Sequence, residues 1–312
     1  MQPAVHRRGS ADNISQEELM TLRKLTQVVR GHPAVDGAGV RLQRVLGART
    51  MYDFDPFLML DGFDSLDPRD YIAGFPWHPH RGIETVTYLL EGELEHGDSL
   101  GNSGVIGRLQ CQWMTAGSGI IHQEMPQAAP RMLGCQLWVN LPAADKMTEP
   151  AYRDIQSSDV SEVVEENARV RVLSGRYSGK IGAVKGEYVP VQYLDVALQA
   201  DSIWEYNQTP NDHTLFLYLI EGTLAADENL ESFEQKACAM LLSSSANSGE
   251  SESVRVKAGP QGARFLLLAA KPLREPIAWG GPIVMNSQEE LNQAFADLRA
   301  GTFIRHTQPK VY

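Results

Sequence analysis

Between Val40 and Leu141 the chain is built from short apolar runs cut by Gly, Pro, Asn and Asp, as at residues 57–60, 85–90, 104–109 and 134–140. Many short strands with turn residues between them predict a sandwich or barrel. A second stretch of the same kind runs from about Val170 to Ala270. Residues 143–168 between them are polar and read as linker, and residues 1–15 are polar, patternless and expected to be disordered. Over residues 16–30, Leu19, Leu22 and Leu25 recur at helical spacing behind a charged start, which predicts a short helix. Near the other end, Ser287-Gln-Glu-Glu290 is a capping box. Leu291, Ala294, Phe295 and Leu298 follow on one helical face, and Gly301 stands at the C-cap. The helix is predicted at 288–299. The pattern thus predicts an all-β protein of two tandem sandwiches or barrels with one short C-terminal helix. Its expected units are 16–147, a linker at 148–168, and 169–312.

An internal repeat supports two copies of one unit. Tyr88-Leu-Leu-Glu-Gly-Glu-Leu94 recurs 130 residues later as Tyr218-Leu-Ile-Glu-Gly-Thr-Leu224. Each copy is an apolar strand entering Glu-Gly, a plausible hairpin turn, followed by a second strand. A single repeat of this length means two domains rather than a solenoid.

Charge and composition then narrow the function. The 312 residues carry a net charge of −11, and a phosphate backbone is repelled by such a field, so direct nucleic-acid binding is not expected. Three widely spaced cysteines, Cys111, Cys135 and Cys238, offer neither a disulfide framework nor a CxxC site. The start, MQPAVHRRGSADN, has no apolar core of a signal peptide, and no apolar run approaches the length of a membrane span. A cytoplasmic protein without membrane partners is expected.

The chemistry concentrates in two short pairs. In Trp77-His78-Pro79-His80, residues i and i+2 of a strand point to one face, so two imidazoles project side by side. His122-Gln123-Glu124 repeats the spacing with a carboxylate. On facing strands, His78, His80, His122 and Glu124 supply three nitrogens and one oxygen. That set suits Fe, Mn, Ni or Zn and leaves coordination positions open. Glu84 shares parity with His78 and His80, which makes it a candidate ligand, base or orienting partner on the same face. His96 reads as a solvated turn residue and His213 as structural. Shifting the ligand positions by 130 gives Gln208, Pro210, Glu252 and Val254, with no His pair, and residues 243–253 are Ser-rich and flexible in composition. The second copy is expected to hold no metal.

Longer motifs surround these residues: Asp55-Pro-Phe-Leu-Met-Leu-Asp61, Phe75-Pro-Trp-His-Pro-His-Arg-Gly-Ile-Glu-Thr85, Gln112-Trp-Met-Thr-Ala-Gly-Ser-Gly-Ile-Ile-His-Gln-Glu-Met-Pro126 and Glu275-Pro-Ile-Ala-Trp-Gly-Gly-Pro-Ile-Val-Met-Asn286. Together they resemble the pirin family of bicupins over roughly residues 40–303. The resemblance implies two cupin barrels of jelly-roll type, the first holding iron or another divalent metal and the second empty. It implies His78, His80, His122 and Glu124 as ligands, with Glu84 outside the coordination sphere. It also implies a quercetin 2,3-dioxygenase-like activity on a flavonol and O2, in which Glu124 or Glu84 takes the 3-hydroxyl proton. Fe(II) is the expected metal, with Mn, Ni and Zn as alternatives. Two other readings stand beside the enzyme: an iron-dependent redox-sensing co-regulator with a protein partner, and a scaffold with a purely structural metal. The chain departs from the family where Gly107-Arg-Leu-Gln-Cys111 replaces a common Pro-Gly-Asp turn, in its N-terminal extension and in the Ser-rich loop.

Overall fold

The computed structural model describes residues 22–243 and 251–307. The first barrel closes a seven-stranded antiparallel sheet over a four-stranded one. Edge to edge, the larger sheet runs Ala151–Ile155, Gln110–Thr115, Ile83–Glu91, Met132–Asn140, Phe57–Ser65, Val40–Leu46 and His32–Asp36. The smaller runs Phe75–His80, Ile120–Gln127, Glu93–Asp98 and Ser103–Ile106.

The second barrel repeats the larger path strand for strand: Lys24–Arg30, Cys238–Ser243, Thr214–Ala225, Ser251–Ala270, Val191–Leu198, Ala168–Ser174 and Ser161–Val164. Ile203–Pro210 pairs with the first part of the long Ser251–Ala270 strand, as Phe75–His80 pairs with Ile120–Gln127 in the first barrel. The sequence repeat therefore marks equivalent strands, Ile83–Glu91 and Thr214–Ala225. Its Glu-Gly step is not a hairpin, however. At Gly92, φ +98°, the chain crosses from the larger sheet to the smaller, and at Gly222, φ +75°, the strand is bulged. Positive φ is what glycine tolerates at no steric cost, and a bend rather than a reversal is what the position requires.

The two larger sheets pack back to back. Val86, Tyr88, Leu90, Cys111 and Leu137 of the first barrel form one buried cluster with Tyr193, Phe216, Tyr218 and Leu266 of the second. Phe216 meets Phe54 and Phe57 edge-on at 5.3 and 5.2 Å. Each such side chain contributes roughly 1.5–3 kcal/mol by leaving water. This explains why Ile83–Glu91 reads as continuously apolar: one face looks into the barrel and the other into the interface, so all but its last residue is buried. A buried polar group sits in this seam. The Tyr88 hydroxyl donates to Asp195 Oδ2 at 2.6 Å, and Arg264 holds both Asp195 oxygens at 2.9 and 2.6 Å.

Three expectations about organisation change. Residues 24–30 form a strand, not a helix. Lys24–Arg30 pairs with Cys238–Ser243 and sets Leu25 and Val28 against the core of the second barrel. The β-branched Thr26, Val28 and Val29 favour an edge strand over a helix here. Residues 16–21 of that expected helix, the stretch 1–15 expected to be disordered and most of the Ser-rich loop lie outside the described residues. The polar stretch 148–168 is not a bare linker either, since Ala151–Ile155 closes one edge of the first barrel and Ser161–Val164 one edge of the second. Finally, after Ala270 the chain leaves the second barrel and returns to the first. A bridge joins Arg81 to Ile283, and the helix Gln288–Ala300 packs Leu291 and Ala294 against Ile283, Met285 and Phe303. That helix has the predicted capping box and ends at Gly301, φ 71°. No helix among the described residues is long and apolar enough to cross a membrane.

Candidate metal centre

Strand pairing brings the two sequence pairs together. Phe75–His80 and Ile120–Gln127 are antiparallel neighbours in a register that sets His78 opposite His122. His78, His80 and His122 then offer ring nitrogens that all lie within 4.8 Å of one another. His78 Nε2 and His80 Nε2 are 3.1 Å apart. Backbone carbonyls orient both rings from behind: Nδ1 of His78 lies 2.9 Å from Pro76 O, and Nδ1 of His80 lies 3.0 Å from Pro282 O. Such acceptors keep the proton on Nδ1 and leave the Nε2 lone pair for an electrophile.

His122 is fully buried, and among the described residues neither of its ring nitrogens has a hydrogen-bond partner. An imidazole stripped of water and left without partners is costly unless a ligand takes its lone pair. Burial, together with the neighbouring imidazoles, pushes His80 down to about 3 and His122 well below the ordinary histidine value. Both rings therefore stay neutral near pH 7, the protonation state that a metal requires. The donor set fits a divalent ion.

Glu124 faces the same interior. It is buried and lines, with His78 and His80, a cavity of about 560 Å³. Its carboxylate is held from the opposite sheet: Thr87 Oγ1 donates to Oε1 at 3.1 Å, Gln112 Nε2 donates to Oε1, and Gln136 Nε2 donates to Oε2 at 2.8 Å. Held by these donors, the carboxylate does not fall into the tight group of three histidines.

Glu84 is elsewhere. Parity counts only along one unbroken strand, and between His80 and Ile83 the chain turns through Gly82, φ +79°, into the other sheet. Glu84 consequently points to the outer side, accepts from Thr115 Oγ1 at 2.7 Å, and lines a small cavity with Lys185 and Glu187. Burial raises its carboxyl to about 7, away from the histidines. The expectation that it shares their face, as ligand or base, is overturned by that turn.

His96 is also misplaced by the sequence. It is not a solvated turn residue but a buried strand residue, opposite Glu124. Its ring stacks on Tyr152 at 3.9 Å, reaches Asp98 Oδ2 at 3.1 Å, and lies 5.4 Å from the His122 ring. The alternation Leu94, His96, Asp98 along one strand face was the available signal. Gln112 and Gln136 were likewise missed, although a polar residue inside each of two apolar strands marks a buried partner.

The cavity over the histidines is walled by aromatic and apolar groups, Met59, Phe63, Phe75, Trp138 and Trp279, with Arg44, Asp36 and Asp61 at one side. Trp138 stands edge-on to His80 at 5.0 Å and donates to Gln136 Oε1 at 3.1 Å. Trp279 comes from the returning C-terminal segment, 5.9 Å from Trp138, and its indole donates to Gly281 O at 2.8 Å.

Comparison with known proteins agrees with this architecture. Residues 39–139 match the Pirin family model, and residues 193–304 match that of the Pirin C-terminal cupin domain. A Pseudomonas aeruginosa protein provisionally named as a quercetin 2,3-dioxygenase is 47% identical over 287 residues, covering 89% of this chain and 97% of its own. Human pirin is 38% identical over 282 residues, covering 89% of this chain and 92% of its own. Among solved structures, the quercetin 2,3-dioxygenase from Acinetobacter baumannii superposes with a TM-score of 0.79 at 29% identity, covering 91% of this chain and 99% of its own.

Proposed function

Because this chain belongs to the pirin family, we propose that it is a metal-dependent dioxygenase acting on quercetin-like flavonols with O2, with Fe(II) held by His78, His80, His122 and Glu124. The observation that carries the reading is the 560 Å³ cavity, which is lined by His78 and His80, two of the three convergent imidazoles, and opens onto an aromatic-walled space. Its size falls within the range of pockets that enclose drug-sized ligands. A divalent metal held by these residues would supply a redox-active Lewis acid. The remaining work belongs to the protein. Trp138 and Trp279 flank the cavity and suit a flat polycyclic substrate. Asp36 and Asp61 also line this space but are paired with Arg44, whereas Glu124, fixed by Gln112 and Gln136, lines it beside the histidines and takes the proton of the 3-hydroxyl. The apolar walls exclude water and strengthen each of these interactions.

Reconstitution tests the proposal. Apo protein loaded with Fe(II), Mn(II), Ni(II) or Zn(II) is assayed for O2 uptake with a panel of flavonols. Fe(II) is expected to restore uptake and Zn(II) to leave it at background. Equal activity with zinc refutes the redox role. Replacing Trp279 by Ala is expected to raise KM for the flavonol about tenfold, equivalent to about 1.4 kcal/mol, with kcat nearly unchanged. A fall in kcat at constant KM shows that the indole does not bind ground-state substrate.

A second reading rests on Trp77. This side chain is 56% exposed although it precedes the ligand His78. An exposed aromatic beside a metal ligand is the kind of group a protein partner can read, as a redox-sensing co-regulator requires. No flavonol-dependent uptake with any metal favours this reading over the enzyme.

A further inference from the structure

The second barrel also has a cavity, beside the end of the strand equivalent to the one that carries His78 and His80. Its Ile203–Pro210 strand corresponds to Phe75–His80, and Thr209 lies opposite Glu252, the residue 130 positions after His122. Glu252 is fully buried, and Arg23 Nε approaches its Oε2 at 3.7 Å. Arg23 also donates to Pro210 O at 2.6 Å and to His213 O at 2.9 Å. A guanidinium thus stands where the first barrel gathers its imidazoles, and it pins the 210–213 turn that forms one wall of the cavity.

In front of this turn lies an open space of about 420 Å³. Three features describe what it can hold. Its lining includes Ile181, Val184 and Pro210, which offer apolar contact. Arg176, Lys185 and His213 also line it, and no Asp or Glu does among the described residues. Asp212 touches this cationic set through His213 Nδ1 at 2.8 Å. Ser174, also in the lining, is completely buried, and its hydroxyl has no hydrogen-bond partner. A buried hydroxyl without a partner is disfavoured, and an acceptor from a bound molecule removes that cost.

We propose that this cavity is a second ligand site, for a small organic carboxylate with an apolar body. The apolar lining takes the body, Arg176 and Lys185 draw in the carboxylate, and the Ser174 hydroxyl donates to it. The site shares no residue with the metal cavity and stands whichever reaction the first barrel performs.

Titration calorimetry on the full-length, metal-loaded protein tests the proposal, with benzoate as probe and benzyl alcohol and inorganic phosphate as controls. Benzoate is expected to bind with one-to-one stoichiometry, and both controls at least about tenfold more weakly, a difference of about 1.4 kcal/mol. The Arg176→Gln/Lys185→Gln double variant, altered only at exposed side chains, is expected to weaken benzoate about tenfold or more. Removing the metal by chelation, or introducing His78→Ala, is expected to leave benzoate binding unchanged. Four results overturn the proposal: no benzoate binding up to about 10 mM, where affinity is below about 3 kcal/mol; equal binding of benzyl alcohol; equal binding of phosphate; or loss of binding with the metal, which places benzoate in the first barrel.

Discussion

Alanine in place of His122 is expected to leave the purified protein almost free of metal and without metal-dependent activity. His122 is the innermost of the three imidazoles, fully buried with both nitrogens unpartnered, so nothing but a ligand satisfies it. Removing an outer hydrogen-bond partner of a metal ligand already costs 10–100-fold in affinity, and removal of a donor itself should exceed roughly 100-fold. A second readout separates lost coordination from lost fold. Without metal, the variant should melt close to the wild-type apo protein, because the deleted ring made no hydrogen bond there. Added metal should then raise the melting temperature of the wild type alone, since stabilisation by a ligand follows its affinity. Elemental analysis showing one equivalent of metal at unchanged affinity in the variant removes His122 from the site.

The histidine pairs were legible because they need only one local rule: alternate residues of a strand share a face. His78 and His80 obey it within Phe75–His80, and the register then sets His122 beside them. The same rule misplaced Glu84, because the turn at Gly82 lies between it and the histidines, and parity does not survive a change of sheet. The C-terminal helix was legible for a similar reason, since its cap, apolar face and terminating glycine are all local signals. The strands Lys24–Arg30 and Ala151–Ile155 were not. They are the equivalent edge strands of the two barrels, each paired along one side only. Edge strands carry polar residues outward, and their sequences then imitate a helix or a linker. What no local pattern reveals is that residues after Ala270 return to the first barrel and supply Trp279 and the Pro282 carbonyl to its centre. That placement depends on pairings more than 200 residues apart in sequence, such as His80 with Pro282 and Arg81 with Asp297.

Arg81 is the residue that ties this return together, and replacing it by Met is expected to destabilise the protein by about 3–5 kcal/mol, the usual result of breaking a buried ion pair from one side. Its side chain is almost wholly buried. Nε donates to Ser118 O at 2.7 Å, one terminal nitrogen to Asp297 Oδ2 at 2.8 Å, and the other to Phe303 O at 3.0 Å, with the guanidinium 4.2 Å from the Phe303 ring centre. Met fills much of the volume but leaves two carbonyls without donors, while Asp297 keeps only Gln293 and the longer contact to Arg305 at 3.3 Å. The consequence extends to the metal. Arg81 follows His80 directly, and a loosened C-terminal segment withdraws the Pro282 carbonyl from His80 Nδ1, so metal affinity should fall about 10–100-fold although no ligand has changed. Proteolysis should cut first between residues 271 and 287 in the variant, ahead of either barrel. Denaturant titration, metal affinity and the cleavage pattern test one cause together. Adding Asp297→Leu to Arg81→Met should recover part of the stability by removing the uncompensated carboxylate, whereas the lost orientation of His80 should remain. If Arg81→Met stays within about 1 kcal/mol of the wild type, well under the expected cost, and binds metal normally, the C-terminal segment is held by its apolar contacts alone and the guanidinium is not its anchor.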